Sequence, residues 1–317
     1  MTQSSPYEAW ALHLKAAADP LRLLILRVLR QQSYGVLELV HILDIQQSRL
    51  SHHLKVLTQA ELLTPRREGN SIFYQRMPSI VSWVQTLYAT LDDWPLPREV
   101  LQRQQQVSEE RRQLAEAFFT RHAGEFKERQ DLIAEYPQYA QQALALLEHA
   151  GVQHHHAVEV GPGLGEFLHE LARRFNHVDA VDIAQEMLTV AQQRATQDNI
   201  RFFCGDLAKW FSTYSQHPDL VVYNMVLHHV PDPATELSHA GSILCSGGHL
   251  LVTDLCRHEH QWARTSCGDQ WLGFADEDLM NWANEAGLIL QQRSVTALRN
   301  GFQVQCLLWR KPSTGTE

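Results

Sequence analysis

The sequence predicts an α/β protein with a doubly wound, seven-stranded sheet and a smaller α+β domain in front of it. Two observations support this prediction. Residues 157–174 form an apolar strand, a turn with three alternating glycines and an amphipathic helix, after which strand-like and helical patterns alternate. Residues 6–76 instead show short amphipathic helices followed by a hairpin. A length of 317 residues accommodates about two domains.

Charge is distributed unevenly along the chain. Residues 1–80 hold nine Lys and Arg against six Asp and Glu, a net +3, whereas the remaining residues hold 18 against 30, a net −12. A mildly basic front part suits contact with nucleic acid. No apolar run approaches the roughly 20 residues of a membrane span and no signal-peptide pattern opens the chain, so we expect a cytoplasmic protein without membrane contact. The five cysteines form no close pair, which indicates no disulfide framework.

The front part begins with a helical pattern, Pro6–Leu29, that Asp19-Pro20 divides in two, because proline is tolerated at a helix start. Two amphipathic helices follow, Val36–Leu43 and Gln46–Leu57. The second has leucines on one face and, on the other, polar side chains able to reach phosphates and base edges in a DNA major groove. These side chains are Gln47, Ser48, Arg49, Ser51, His52 and Lys55. A polar face that meets only solvent is the alternative.

Two strand-like runs come next, Leu62–Arg67 and Ser71–Arg76, joined by a glycine-containing hairpin signal at residues 68–70. They form a small β wing beside the predicted recognition helix. We expect Arg66 and Arg67 of this wing to contact DNA as well.

The front part resembles the ArsR/SmtB family of winged-helix repressors over about residues 8–90, in the segments LKAAADPLRLLILRVL and RLSHHLKVLTQAELLTPRREGNSIFYQ. The resemblance implies a homodimer on operator DNA, with the first helix and the helix after the wing, Pro78–Leu91, at the interface. Many members sense metals through Cys or His ligands. This chain departs from that pattern, since Val36–Val40 has neither residue, Pro78–Leu91 has no histidine and the first cysteine is Cys204. We therefore expect the signal to come from elsewhere in the chain.

A boundary with two prolines, Asp92–Pro97, precedes a predicted helical connector, Arg98–Arg129. The aromatic residues of this connector either contact a ligand of the core or pack as ordinary core residues. They are Phe118, Phe119 and Phe126. A further helix, Leu132–Leu147, leads into the core. The predicted divisions are a DNA-binding domain at 1–92, a linker at 93–131, a core domain at 132–312 and a tail at 313–317.

The core opens on Ala157-Val158-Glu159-Val160-Gly161-Pro162-Gly163-Leu164-Gly165. Glycine is needed where a Cβ would block the approach of a ligand to the backbone. The spacing differs from the G-x-G-x-x-G of dinucleotide sites, and an unrelated tight turn is the alternative. The stretch resembles the first motif of class I methyltransferases that depend on S-adenosylmethionine (SAM). The resemblance implies a Rossmann-like sheet whose loop passes over the methionine end of SAM, with Glu159 helping to hold the amino-acid part.

Polar residues follow each of the next strands, at the sheet edge where open α/β sheets bind ligands. Asp182 ends the second strand and can accept hydrogen bonds from both hydroxyls of a ribose. Asp206 follows the third strand, and the resemblance implies that it approaches the adenine amino group. The predicted contacts to SAM or S-adenosylhomocysteine are Glu159, Gly161, Gly163, Gly165, Asp182, Ile183, Asp206, Leu207 and Asn224.

The segment 253–288 resembles small-molecule methyltransferases of the ubiquinone and menaquinone biosynthesis type, and the methyltransferase resemblance as a whole spans about residues 112–310. Two closing antiparallel strands are predicted, Leu288–Val295 and Phe302–Trp309. Methyl transfer is an in-line displacement that requires proximity, a dry pocket and in some enzymes a base. The candidate bases or orienting groups are Asn224, His228, His229, Asp254 and His258.

Two stretches of the chain contain several residues of the types that bind metals, and for both we predict a loop and no metal site. His154-His155-His156 are predicted to form a solvated loop, because adjacent side chains of a strand alternate in direction. Cys256, His258 and His260 are predicted to lie in a loop over the active site. We therefore expect no metal ion. An arsenite methyltransferase would present several cysteine thiolates near the transferred methyl group. The five cysteines of this chain lie on separate elements, which argues against arsenite as a substrate.

Two functions remain open. In the first, the protein is a transcriptional regulator, a repressor of operator DNA that senses SAM or S-adenosylhomocysteine through its methyltransferase-like domain. The chain resembles some ArsR-type repressors of methionine and SAM metabolism, which favours this function. In the second, it is an active SAM-dependent small-molecule methyltransferase with an attached DNA-binding module. The cofactor motifs permit both.

Overall fold

The computed structural model describes residues 6–30, 32–68, 71–77 and 82–313. The chain divides into two compact units, Met1–Arg111 and Arg112–Glu317. Within the described ranges, every helix is too short or too polar to span a lipid bilayer.

The front unit consists of short helices and a three-stranded antiparallel sheet. Its helices within the described residues are α1 (Pro6–Ala17), α2 (Pro20–Val28), α3 (Val36–Leu43), α4 (Gln47–Gln59) and α5 (Ser82–Asp93). Its strands are β1 (Tyr34–Gly35), β2 (Leu63–Glu68) and β3 (Ser71–Arg76), in the spatial order β1-β3-β2. This arrangement agrees with the predicted helices and wing. The wing residues Gly69 and Asn70 and the first part of the predicted helix Pro78–Leu91 lie outside the described residues.

Local chemistry explains the boundaries of these elements. The side chain of Asp19 accepts hydrogen bonds from the backbone N–H groups of Leu21 and Arg22, at 2.9 and 3.1 Å, and so caps α2 where Pro20 begins it. The strand β1 was not predicted, because two residues directly before a helix carry no period-two pattern. Tyr34 of this strand is fully buried and pairs with Tyr74 of β3.

A long helix, α6 (Arg98–His122), includes the boundary between the two units. A 3-10 turn at Ala123–Glu125 and the short helix α7 (Phe126–Asp131) complete the predicted connector. The next helix, α8 (Pro137–His149), begins five residues later than Leu132, where the sequence predicted it. Proline favours the first position of a helix, which explains the later start.

The rear unit is a seven-stranded sheet covered on both faces by helices, as predicted. The strands are β4 (His156–Val160), β5 (His177–Asp182), β6 (Ile200–Cys204), β7 (Leu220–Asn224), β8 (His249–Leu255), β9 (Ile289–Ala297) and β10 (Gln303–Arg310). The helices are α9 (Glu166–Arg174), α10 (Gln185–Arg194), α11 (Leu207–Tyr214), α12 (Pro233–Ile243), α13 (Trp262–Cys267) and α14 (Asp276–Glu285). The strand order is β6-β5-β4-β7-β8-β10-β9, and β10 runs antiparallel to both of its neighbours.

Alternate residues of the central strands bury apolar side chains on opposite faces of this sheet. Val158 and Val221 belong to the apolar cluster on one face, and Ala157 and Val222 belong to the cluster on the other. The strand order reverses between β4 and β7. Ligands of doubly wound sheets bind at the carboxyl ends of the strands beside such a reversal.

The prediction of a solvated loop at residues 154–156 is wrong for His156. This residue begins β4, and its Nε2 lies 2.9 Å from Oδ2 of Asp179 in the neighbouring strand. The guanidinium of Arg201 donates to both oxygens of the same carboxylate, at 2.5 and 2.7 Å. The fully buried Asp179 thus has side-chain partners on both neighbouring strands, His156 and Arg201, and its contact with His156 requires that residue to lie in the sheet.

Candidate functional site

The glycine turn after β4 leaves no room for side chains. Gly161 and Gly163 have φ values of +65° and +55°, in the left-handed region that side chains disfavour. A Cβ on Gly161 would collide with Val226, and one on Gly163 would lie 3.1 Å from the ring of Phe126. Both positions therefore require glycine, because the side chains of Val226 and Phe126 already lie against the backbone of the turn.

Glu159 lies directly behind this turn and is 1% exposed. Burial raises the pKa of its carboxyl well above the usual range. Its Oε2 accepts no hydrogen bond from any residue that the structure describes. A buried acceptor of this kind is costly unless a donor reaches it, so the site is chemically incomplete in the protein alone.

The predicted acids at the ends of β5 and β6 occupy different surroundings. Oδ1 of Asp182 accepts a hydrogen bond from the backbone N–H of Ala184 at 2.8 Å, and burial raises the pKa of Asp182 to about 7. Ile183 is partly buried beside it. Asp206 caps α11, because its Oδ1 accepts from the N–H of Lys209 at 2.7 Å, and Leu207 is fully buried. The capping bond gives Asp206 a structural role that the sequence did not predict.

The end of β7 combines a buried amide oxygen without a hydrogen-bond partner among the described residues and a residue with positive φ. Oδ1 of Asn224 is buried, and no hydrogen bond to it comes from the described chain. Met225 follows with a φ of +57°, which a non-glycine residue adopts only when its surroundings enforce it. Its N–H donates to the carbonyl of Thr253 at 2.7 Å, which fixes this conformation.

Two of the candidate histidines meet two buried carboxylates next to this strand end. Nδ1 of His228 lies 2.7 Å from Oδ1 of Asp254, and Nε2 lies 3.9 Å from Oδ1 of Asp269. Nδ1 of His229 lies 3.7 Å from the same Asp269 oxygen. The sequence predicted three members of this cluster but missed Asp269, which is 3% exposed.

The pKa values of the two histidines shift in opposite directions. Burial lowers the pKa of His228, but Asp254 and Asp269 raise it more, to about 9. Burial and the neighbouring His228 hold the pKa of His229 well below its usual range. Burial raises the pKa of Asp269 to about 6. His258 stacks edge-on against Phe302 at 4.8 Å, and burial lowers its pKa to about 4.

A small cavity lies against this cluster. Its walls come from the connector region and the residues just after it, from the segment just after β7 and from the last residue of α13, and the surface that they expose to the cavity is mostly apolar, as in small-molecule sites. The lining residues are Phe118, His122, Phe126, Arg129, Gln130, Ile133, Met225, His228, His229 and Cys267. Two of the three predicted connector aromatics therefore line the cavity, and the third, Phe119, packs edge-on against His229 at 4.9 Å. The segment of Cys256 and His260 is not among these walls.

The polar face of α4 is solvent-exposed along its whole predicted set: Gln47, Ser48, Arg49, Ser51, His52 and Lys55. The leucines on the opposite face, Leu50, Leu54 and Leu57, are at most 1% exposed. The wing differs from the prediction, because Arg66 is only 8% exposed whereas Arg67 is exposed. Successive side chains of a strand point to opposite faces, so only one of the two arginines can face outward.

Comparisons with family models give two matches. Residues 19–64 match bacterial regulatory proteins of the arsR family, and residues 158–252 match a methyltransferase domain. The first segment contains α2, α3 and α4, and the second runs from β4 into β8.

Curated relatives match only part of the chain. The ubiquinone biosynthesis O-methyltransferase of Coxiella burnetii is 27% identical over 150 residues, which cover 43% of this chain and 64% of the relative. The enzyme of the same description from Yersinia pestis is 26% identical over 124 residues, 38% of this chain and 51% of the relative. This chain thus spans about half to two thirds of the length of these relatives.

Solved structures resemble the rear unit in fold. A chain from the complex between the Haloferax volcanii Trm112 methyltransferase activator and a methyltransferase superposes with a TM-score of 0.52 and 17% identity, over 64% of this chain and 100% of that one. The N-methyltransferase NodS of Bradyrhizobium japonicum, in complex with S-adenosylhomocysteine, gives a TM-score of 0.47 and 18% identity, over 57% and 90% of the two chains.

Proposed function

We propose that this chain, which carries an ArsR-family helix-turn-helix segment in front of a methyltransferase domain, is a DNA-binding transcriptional regulator whose rear unit binds SAM or S-adenosylhomocysteine. The observation that carries the proposal is Glu159, a buried carboxyl behind the glycine turn with one oxygen that accepts no hydrogen bond within the described residues. The ammonium group of the methionine part of SAM is a donor suited to that oxygen.

The remaining predicted residues fit the other parts of the ligand. Asp182 presents its carboxyl group at a strand end, where it can accept from the ribose hydroxyls, and Asn224 offers a buried amide oxygen at the end of β7. Gly163 lets the backbone come close, and Phe126 stands over it. Oδ1 of Asp206 already accepts a hydrogen bond from the helix that it caps. The other oxygen of Asp206 and the neighbouring backbone are therefore proposed to recognise adenine.

Calorimetry with SAM, S-adenosylhomocysteine and NAD tests this proposal. The wild-type protein should bind the first two and not NAD. Gly163→Ala should lose most of that affinity, because the Cβ projects into the space under Phe126. Gly151→Ala is the matched control, since Gly151 also has a positive φ, +66°, but faces open space. Both changes should destabilise the fold by about 1 to 2 kcal/mol through backbone strain. Only Gly163→Ala should also lower the affinity for SAM and S-adenosylhomocysteine. Equal SAM affinity in the two variants would contradict the assignment.

The front unit is proposed to bind operator DNA as a homodimer. The exposed polar face of α4 and Arg67 supply the DNA contacts. The helix α1 leaves Tyr7, Trp10 and Leu14 at least half exposed, and such apolar exposure on one helix marks an association surface. Sedimentation equilibrium of the full chain should therefore give a dimer, and a monomer at tens of micromolar would contradict this interface.

A second function is favoured by the small cavity, whose wall includes Phe126, the residue that lies against Gly163 of the glycine turn. Ionisable groups at the end of β7 and in the loops beside it surround a small apolar space, an arrangement suited to chemistry on a bound acceptor. Relatives that are ubiquinone biosynthesis O-methyltransferases suggest an oxygen acceptor. The protein would then transfer the methyl group of SAM as well as bind it. Incubation with radiolabelled SAM and a panel of phenols tests this activity, and a panel without labelled product would leave the regulator as the function.

A further inference from the structure

We propose that His228, His229 and Asp269 form a binding site for a divalent transition-metal ion. The ligand atoms of these three side chains all lie within 4.8 Å of one another. Oδ1 of Asp269 is 3.9 Å from Nε2 of His228 and 3.7 Å from Nδ1 of His229. Tetrahedral ligands about 2.1 Å from a metal stand about 3.4 Å apart, so a shift of about an ångström in these side chains completes the geometry.

The atoms that point at this site lack other partners. Both oxygens of Asp269, which is 3% exposed, and Nδ1 of His229 take part in no hydrogen bond within the described chain. A carboxylate buried in this state carries a large desolvation cost, which a coordinated cation removes. The unpartnered atoms of Asp269 and His229 therefore favour a bound cation at this cluster.

His228 is held in the way that metal-binding histidines are held. Its Nδ1 is 2.7 Å from Oδ1 of Asp254, and the second oxygen of Asp254 accepts from the backbone N–H of His228 at 3.3 Å. A carboxylate on one imidazole nitrogen fixes the ring and its tautomer and leaves the other nitrogen to the metal. Here the nitrogen left over is the one that faces Asp269.

The second cluster of suitable residues in the described chain lacks this character. His156, His177 and Asp179 also lie close together. The guanidinium of Arg201, however, already donates to both oxygens of Asp179. A cation therefore occupies the place that a metal would take, and this cluster serves as a control.

The chemistry of the site indicates which ion and ligand it takes. Two imidazoles and one carboxylate suit Zn²⁺, Co²⁺ or Fe²⁺ rather than Mg²⁺, and three protein ligands leave positions open for an exogenous oxygen. Both imidazoles line the small cavity, so those positions face its space. A phenol or catechol bound there would lose its proton to water more readily, as metal-bound water does.

A metal-bound phenol or catechol would be the methyl acceptor of the proposed methyltransferase. Only this transfer step rests on the proposed function. The hydroxyl releases its proton to solvent, the oxygen lone pair forms the new C–O bond, and the S–CH₃ bond breaks with its electron pair returning to sulfur. The products are a methyl ether and S-adenosylhomocysteine. Metal binding itself does not require SAM, so the two proposals fail separately.

Titration of the EDTA-treated full-length protein with Co²⁺ tests the site, with the visible absorption of bound Co²⁺ and the thermal midpoint as readouts. The wild type should bind one ion per chain. Asp269→Asn and His229→Gln should each weaken binding at least tenfold, and Asp254→Asn about 10- to 100-fold through loss of the imidazole orientation. His177→Gln, in the control cluster, should bind as the wild type does.

Two measurements keep the result interpretable. Calorimetric SAM affinity and the circular dichroism spectrum report whether Asp269→Asn and His229→Gln remain folded, and at least one of these variants should keep both. Added 4-nitrocatechol should shift its absorbance to that of the deprotonated form on the Co²⁺-loaded wild type and not on the variants. Absence of Co²⁺ binding by the wild type, or undiminished binding by a folded Asp269→Asn, would overturn the proposal.

Discussion

Single residues of this protein carry unusual protonation. The carboxyl of Glu159 is fully buried, and burial raises its pKa well above the usual range. In the unfolded chain this group ionises near pH 4.5. Above that pH the unfolded chain has released a proton that the folded protein still holds, so the stability falls as pH rises toward the folded pKa.

Glu159→Gln removes this proton linkage and yields a direct prediction. Without ligand, the free energy of unfolding of the variant should gain on that of the wild type as pH rises from about 5 to 8, by up to about 1.4 kcal/mol per pH unit. Urea unfolding across this range measures the difference, and all other titrating groups cancel in it. A difference that is constant with pH would show that Glu159 is ionised in the folded protein.

Sequence patterns located the residues at or just after the strand ends and missed Asp269, which a distant loop supplies. Gly161 directly follows β4, Gly163 lies in the same turn and Asp182 is the last residue of β5, so the period of each buried strand predicts where they lie. Asp269 lies after α13, far along the chain from His228, and only the folded loop brings the two carboxyl and imidazole groups together. The burial of Arg66 was also beyond reach, because two adjacent arginines in a strand give no sign of which one faces inward.

At the scale of elements, the helix α4 and the wing were predicted almost to the residue. The three leucines of α4 and the glycine of the hairpin are signals that lie within one element. The strand β1 was missed because its two residues are defined by their pairing with β3 and not by a local pattern. Helix starts such as that of α8 were shifted for a similar reason, since the apolar period continues through the residues before Pro137.

The exposed face of α4 leads to a prediction about DNA binding. Arg49→Ala should weaken binding to a selected duplex by about 1 to 3 kcal/mol if the side chain reads a base, and Arg67→Ala should reduce the salt dependence of binding by about one ion if it contacts phosphate. Arg299→Ala removes an exposed positive charge from the rear unit and is the control. Gel-shift titrations over a salt series give both quantities. Curves for Arg49→Ala and Arg67→Ala that coincide with the control would contradict the DNA-binding face.

At the scale of the whole molecule, one helix belongs to both units. The first half of α6 places Val100 and Val107 in the apolar core of the front unit. The second half places Phe118 and His122 in the lining of the rear cavity. Because the front domain lacks the Cys and His ligands of metal-sensing relatives in the segments Val36–Val40 and Pro78–Leu91, we infer that ligand in the rear unit supplies the regulatory signal through this helix. Such coupling is reciprocal: a ligand that changes operator affinity tenfold changes its own affinity for the DNA complex tenfold, about 1.4 kcal/mol.

The most direct test of this account is the fluorescence anisotropy of a labelled duplex, selected from random-sequence DNA by the full-length protein, at rising S-adenosylhomocysteine and SAM. At least one of the two ligands, with S-adenosylhomocysteine expected to be the stronger, should shift the DNA-binding curve of the wild type. The same titration of Gly163→Ala should leave its curve in place. A wild-type curve that neither ligand moves, although calorimetry shows that both bind, would contradict the regulator and leave an enzyme with a separate DNA-binding module.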